Sequence, residues 1–310
     1  MKLSRLTISV LTLVSLFQIS AQGQMTHKIP ITTIVTVLGP KFTDPPAITK
    51  HDLVVSSGKD RLDVIDWVPA QGQKGGLQLA ILIDNSANQF GVGTQLNEFA
   101  DFIAQQSKST AIGLFYAING TVEVASSFSR NHVAVAKALR MPLGSRAGDS
   151  PSVYLSLTDL INHHWQSTGA RREVLLISSG VDRMNRGPDS PYVQAAIEDV
   201  QKAGVEAHAI YTDGASFDES MRGQFAQGNL MQLAEDSGGY NLFEGVSTPM
   251  SFSPYLKELD MALQHQYRLT FTIEPSNKAK GELRDIKIRT ELHDVDLRYP
   301  KLVLVPGIAK

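Results

Sequence analysis

Leu77-Gln78-Leu79-Ala80-Ile81-Leu82-Ile83-Asp84-Asn85-Ser86-Ala87-Asn88 decides the fold. A continuous apolar run, interrupted only by Gln78, stops at a cluster of oxygen-bearing side chains, and a helical pattern follows over residues 94–106. Leu96, Phe99, Ala100, Ile103 and Ala104 recur at the three-and-four spacing that lays one apolar stripe along a helix. Strand, polar loop and helix in that order are the signature of an α/β domain.

Reading outward, the same alternation repeats. Residues 111–117 form the next strand, and Asn119-Gly120 makes a tight turn into residues 121–125, because both central positions of such a turn take positive φ. Helical patterns cover 133–139 and 153–165, and a second apolar strand covers 174–177. Ser190-Pro191 opens a helix, Ser as cap and Pro in the first turn, and Gly204 ends it. A strand at 205–211, a short helix at 229–235 and a helix from Ser253-Pro254 to Gln264 complete the pattern. The expectation is an α/β, doubly wound, mostly parallel sheet over residues 76–265.

Two β segments flank it. Residues 27–75 read as short strands at 32–38, 52–55 and 61–68 between Gly/Pro-rich turns, and residues 266–310 as strands at 267–273, 283–291 and 295–305 with a break at Pro300. Each lone segment needs a partner, so pairing of the N-terminal module with the C-terminal tail is expected.

Composition narrows the function. With 29 Lys and Arg against 31 Asp and Glu, the net charge of −2 gathers no phosphates, and no basic run exceeds Arg171-Arg172. A nucleic-acid partner is therefore not expected. Zero cysteines exclude disulfides, thiolate catalysis and sulfur-ligated metals. Lys2 and Arg5 precede an uncharged run at 6–19 and the small residues Ser20-Ala21, the layout of a signal peptide over residues 1–22. The run is shorter than the roughly 20 residues of a spanning helix. The protein is thus expected to be secreted or periplasmic, with no membrane span after cleavage; an uncleaved N-terminal anchor is the alternative.

Ligands of doubly wound sheets bind outside the carboxyl ends of the strands. Three loops lie there: 84–88, 148–152 (Gly148-Asp149-Ser150-Pro151-Ser152) and 178–182 (Ser178-Ser179-Gly180-Val181-Asp182). Their oxygen donors are those that hard cations such as magnesium prefer. The plainer reading is that Asp84 and Ser86 cap the following helix and bind nothing.

The residues 81–88 resemble the strand and Asp-x-Ser-x-Ser loop of the von Willebrand factor type A (VWA) domain, and residues 173–180 resemble its later strand and Thr-Asp-Gly loop. Residues 48–55, Gly58-Lys59, the strand at 61–65 and Gln266-Tyr267-Arg268-Leu269 are similar to the flanks of a secreted, acidobacterial-type subfamily. The resemblance implies a Rossmann-like fold and a non-catalytic adhesion module for a protein or peptide ligand. It also implies a metal-ion-dependent adhesion site (MIDAS) holding magnesium or another divalent cation. Asp84 and Ser86 match its ligands, Asn88 replaces a second Ser, and Ser150, Pro151 and Ser152 compete for the second-loop position. Ser179 stands where the third loop carries Asp, so the site is degenerate unless Asp182 supplies the charge.

Other chemistries fit less well. Asp84 could serve a metal-dependent or phosphotransfer hydrolase, but Ser86 occupies the position of that enzyme type's second Asp. No Gly-x-Ser-x-Gly elbow is present, and Gly91-Val92-Gly93 lacks the third glycine of a dinucleotide loop. His163 and His164, being adjacent, are expected on different sides of their helix, and Trp67 and Trp165 are expected in packing. Asn119-Gly120-Thr121 fits a glycosylation acceptor, but its turn role explains it. Loops 180–190 and 212–228 carry Met184, Arg186, Phe217, Met221, Arg222 and Phe225. They serve either an interface or the covering of the sheet edge.

Overall fold

A computed structural model of the chain describes residues 28–71, 75–87, 92–144, 151–165, 169–185, 190–212, 220–245 and 247–307, with 220–224 described by backbone alone. The leader, Asn88, Asp149, Ser150, Arg186 and Phe217, and the side chains of Met221 and Arg222, lie outside that description.

The strands are Ile29–Leu38 (β1), Leu53–Ser57 (β2), Asp60–Pro69 (β3), Leu77–Asp84 (β4), Ala111–Ile118 (β5), Thr121–Ser129 (β6), Arg171–Ser178 (β7), Val205–Tyr211 (β8), Gln266–Ile273 (β9), Glu282–Asp285 (β10), Lys287–Thr290 (β11), Asp296–Arg298 (β12) and Leu302–Val305 (β13). The helices are Leu96–Gln105 (α1), His132–Lys137 (α2), Val153–Asp159 (α3), Pro191–Ala203 (α4), Ser220–Ser237 (α5) and Ser253–Gln264 (α6).

β4 is buried along its whole length. It pairs in parallel with β5 on one side and β7 on the other, in a sheet of order β6-β5-β4-β7-β8 whose edge strand β6 is antiparallel. Leu79, Ile81 and Ile83 join Leu175 and Ile177 on one face, beneath Phe99 and Ile103 of α1 and Leu259 and Leu263 of α6. Ala80 and Leu82 join Val174 and Leu176 on the other, beneath Tyr154 and Leu157 of α3 and Val193 and Ile197 of α4. A parallel strand whose two sets of alternating side chains are both apolar has to be covered twice, which makes the fold doubly wound. The Asn119-Gly120 hairpin has φ of 49° and 81° at its centre, as its residues predict.

The flanking module is one six-stranded sheet of order β11-β2-β3-β9-β1-β12, built from both ends of the chain. Central β9 pairs antiparallel with β1 and with β3. Val35, Val55, Leu269, Phe271 and Ile288 fill its core, and Trp67 stacks on Tyr267 at 4.5 Å.

Four expectations need correction. The strand expected at 283–291 is two, β10 and β11, because the chain exchanges partners at Ile286, whose N–H bonds Lys301 O at 3.0 Å. The helix expected at 229–235 begins at Ser220, inside what reads as a loop: its packing through Ala226, Leu230 and Leu233 overrides a glycine-interrupted pattern. Ser253 does not cap α6; Phe252 is the cap residue, and Ser253 N and Oγ donate to Glu98 of α1 instead. His163 and His164 both turn toward Asp159, Nδ1 of the first at 2.8 Å and Nε2 of the second at 3.6 Å, because Leu160–His164 is a π-helical turn.

A buried polar knot joins the two layers at the amino ends of β7 and β8. Glu173 and Glu206 are register partners on these strands, and both are almost fully buried. Gln266, the first residue of β9, donates to Glu206 Oε2 at 2.9 Å and to Thr36 Oγ1 at 3.2 Å. Arg171 donates to Gln266 Oε1 and to Leu263 O. Burial holds the Glu206 carboxyl well above the usual carboxylate range, with the Glu173 carboxylate adding to the rise and Arg171 opposing it. A group whose pKa rises on folding contributes stability that is complete below its ordinary value near 4.5 and is lost as pH climbs through the folded value. Urea unfolding should therefore show stability falling as pH rises from about 4.5, and Glu206→Gln should remove that part of the slope. Parallel pH profiles of wild type and E206Q would refute this.

Candidate functional site

The carboxyl ends of β4 and β7 lie side by side, since Ile83 is in register with Ile177. Asp84 and Ser178 therefore project from adjacent strand tips. Asp84 is only 2% exposed, and both of its carboxylate oxygens accept hydrogen bonds. Oδ1 accepts from Ser86 N at 2.9 Å and Ser86 Oγ at 2.6 Å; Oδ2 accepts from Ser178 Oγ at 2.7 Å. Gly180 N in turn donates to Ser178 Oγ at 2.9 Å. A buried carboxylate is tolerated only when its lone pairs are matched in this way.

The second loop joins through its backbone and through Tyr154. Ser152 caps α3, its Oγ accepting from Leu155 N at 3.4 Å. Pro151 O accepts from Arg183 N at 3.0 Å, and the Tyr154 hydroxyl donates to Gly180 O at 3.1 Å. Burial pushes the Tyr154 hydroxyl well up, and the carboxylates of Asp182 and Asp84 both add to the rise. Asp182 ties its own loop to the start of α4: Oδ2 accepts from Ser190 Oγ at 2.5 Å and Oδ1 from Met184 N at 3.0 Å. The structure thus brings Asp84, Ser86, Ser152 and Asp182 to one end of the sheet; Asn88 and Ser150 lie outside the described residues.

Three contributors have partners that residue order does not give, although Asn85 and Ser178 lie in loops already singled out from the sequence. Asn85 Oδ1 accepts from Leu143 N at 3.0 Å and Arg140 Nη1 at 2.9 Å, and its carbonyl accepts from Gly144 N, so it ties residues 140–144 to the crater. Ser178 and Tyr154 are the others. None carries a local signal of its partner, because each acts on a loop distant in sequence. The segments that reach this end of the sheet carry exposed apolar side chains: Met141 and Leu143 on the Asn85-tied segment, Met184 on the third loop and Phe225, next to Ala226, on α5. Ala226 and Leu230 of α5 press against Gly180, which places that helix beside the third loop.

As a metal centre, the described donors are short of negative charge. Asp84 has both oxygens engaged, Asp182 spends its own within its loop, and Ser179 is neutral and accepts from Val181 N at 3.4 Å. A divalent cation needs anionic ligands to offset its dehydration. Among the described residues, the metal-type donors that converge are Glu173, Glu206 and His208, within 4.8 Å of one another at the opposite end of the sheet. These donor types suit a divalent cation. His208 Nδ1 accepts from Tyr240 N at 3.1 Å, however, so Nε2 carries the hydrogen it shares with Glu173 at 2.7 Å. A cation at Nε2 has to displace that proton.

No protein-family model matches the sequence, and no curated protein does. Solved structures do. BatB of Bacteroides thetaiotaomicron, described as a conserved hypothetical protein, is 14% identical over 60% of this chain and 98% of its own, with a TM-score of 0.40. The SpRpn10 VWA domain is 14% identical over 59% of this chain and 95% of its own, with a TM-score of 0.42. Proximal thread matrix protein 1 of the mussel byssus, solved with zinc in its MIDAS motif, is 14% identical over 70% of this chain and 49% of its own, with a TM-score of 0.46.

The crater's hydrogen bonds set its tolerance to change. Ser178→Ala deprives the Asp84 carboxylate of one donor and should cost about 1–3 kcal/mol in urea unfolding. Gly180→Ala should cost more than about 1–2 kcal/mol: φ there is +69°, and a Cβ would lie 2.6 Å from Ala226 O. Loss of less than about 0.5 kcal/mol in both would show that the loops are not held in this way.

Proposed function

We propose that this protein is a non-catalytic, VWA-type binding module that receives a protein or peptide partner on the crater at the carboxyl ends of β4 and β7, with no resident cation. The observation that carries the reading is the closure of the Asp84 carboxylate by Ser86 and Ser178, with exposed Met141, Leu143, Met184 and Phe225 on the segments adjoining it. A satisfied polar floor holds the loops in place, and exposed methionine and aromatic side chains are the groups from which protein interfaces draw contact area.

The same closure argues against the hydrolase reading. A carboxylate that attacks phosphorus has to be reached by its substrate, and Asp84 is only 2% exposed with hydrogen bonds on both oxygens. Export follows from the sequence of residues 1–22 and is part of the proposal, with a retained anchor as its alternative; no helix among the described residues is long and apolar enough to cross a membrane.

Selection of a displayed peptide library against the purified protein tests the binding role. Selected peptides should lose at least tenfold in affinity for Met184→Asp and Phe225→Asp variants whose thermal unfolding is unchanged. Peptides that bind these variants as well as wild type would overturn the choice of surface. Calorimetry with magnesium and manganese should show no saturable uptake that Asp84→Asn removes, and p-nitrophenyl phosphate should not be turned over. A metal isotherm or a turnover abolished by D84N would restore the cation site or the hydrolase.

A further inference from the structure

At the end of the sheet opposite the crater, a cleft of about 380 Å³ opens between the α/β layer and the flanking module. Arg171 and Arg172 reach it from β7, Lys202 from α4 and Arg268 from β9, so four cations from both parts of the molecule line one space in a chain whose net charge is −2. Among the described residues of the lining, Glu206 is the one acid. Its Oε2 is taken by the side-chain amide of Gln266 at 2.9 Å.

The guanidinium groups are held in place by carbonyl oxygens and still have donors to spare. Arg171 is 7% exposed; its Nη1 is committed to Leu263 O and Gln266, and it lies 3.8 Å from Glu173 Oε1. Arg172 Nη2 donates to Ala203 O, and Arg268 Nη2 to Gly169 O at 3.2 Å. The Nε atoms of Arg171 and Arg268 are both buried with no hydrogen-bond partner. Arg171 and Arg268 line the same cleft. Two buried Nε donors without acceptors are costly, and the Glu173 carboxylate, 3.8 Å from Arg171 Nη1, offsets the charge of Arg171 without accepting from either Nε. Lys202 stands at the mouth, half exposed and paired with Glu198 at 2.7 Å.

We propose that this cleft is a binding site for a small organic oxyanion, a carboxylate or phosphate ester, which bridges the α/β layer and the flanking module. Guanidinium groups match the paired oxygens of both anion classes. The cleft is of ligand size rather than ion size, and Ile31, Leu302 and Leu304 in its wall supply surface for an apolar body. The site is separate from the crater and does not depend on the binding role proposed there.

The test is calorimetric titration of the full chain with phenyl phosphate, benzoate and the neutral benzyl alcohol, at ionic strength fixed with sodium chloride. One or both anions should bind saturably at one per chain, the stronger of the two identifying the anion class, and the alcohol should not. Arg268→Gln should weaken binding about tenfold or more, and Lys202→Gln, a substitution at the exposed mouth that leaves the fold intact, should weaken it less. Ser178→Ala in the crater should leave the anion affinity unchanged. The proposal is overturned if neither anion gives a saturable isotherm, if benzyl alcohol binds as well as the anions, or if R268Q and K202Q both bind with wild-type affinity.

Discussion

Everything in this molecule follows from a strand that has water on neither face. β4 carries apolar side chains on both of its alternating sets, so helices have to cover it on two sides and neighbouring strands have to flank it. The run ends in Asp84, which the same burial catches at the edge of the core. A carboxylate there is stable only with its lone pairs matched, and the nearest donors are Ser86 on its own loop and Ser178 on the adjacent strand tip. The crater is the polar end of the hydrophobic constraint.

The opposite end of the same strands meets a second problem. The flanking sheet meets the amino ends of β7 and β8 through buried polar side chains, while Leu38 of β1 joins the apolar core of the α/β layer. Glu173, Glu206 and His208 are buried there, with Gln266 and Arg171 tying them to β9 and α6. Such knots add little net stability, because desolvation consumes most of the attraction, but they tolerate one arrangement of partners and so define how the layers meet. The molecule therefore has two polar ends of different character: a carboxylate–hydroxyl floor adjoined by segments with exposed apolar side chains, and a guanidinium-lined cleft.

Part of this was legible in residue order. Period and punctuation located the core strands, the Asn119-Gly120 hairpin and the Ser190-Pro191 helix start, where Ser190 Oγ does accept from Tyr192 N at 3.2 Å. Local reading failed where a distant group supplied what a neighbour was expected to supply. Glu98 replaced Ser253 as the oxygen at the start of α6, and Lys301 took the bond that divides the strand expected at 283–291. The glycines at 223 and 228 masked the first turns of α5, whose stability comes from packing on β8.

The sequence alone determined which residues seek the core and which chain ends carry oxygen, because those properties reside in a side chain and its spacing: the apolar run into Asp84, the Ser-rich loops, the strand-forming tails. Only the tertiary structure decided that Asp84 meets Ser178, that Asn85 draws in residues 140–144, and that the two flanking segments, whose pairing the sequence led us to expect, take the strand order β11-β2-β3-β9-β1-β12. Each of those pairings joins residues far apart in the chain, and a hydrogen-bond partner is chosen by where packing delivers it in space, a quantity that no local pattern contains.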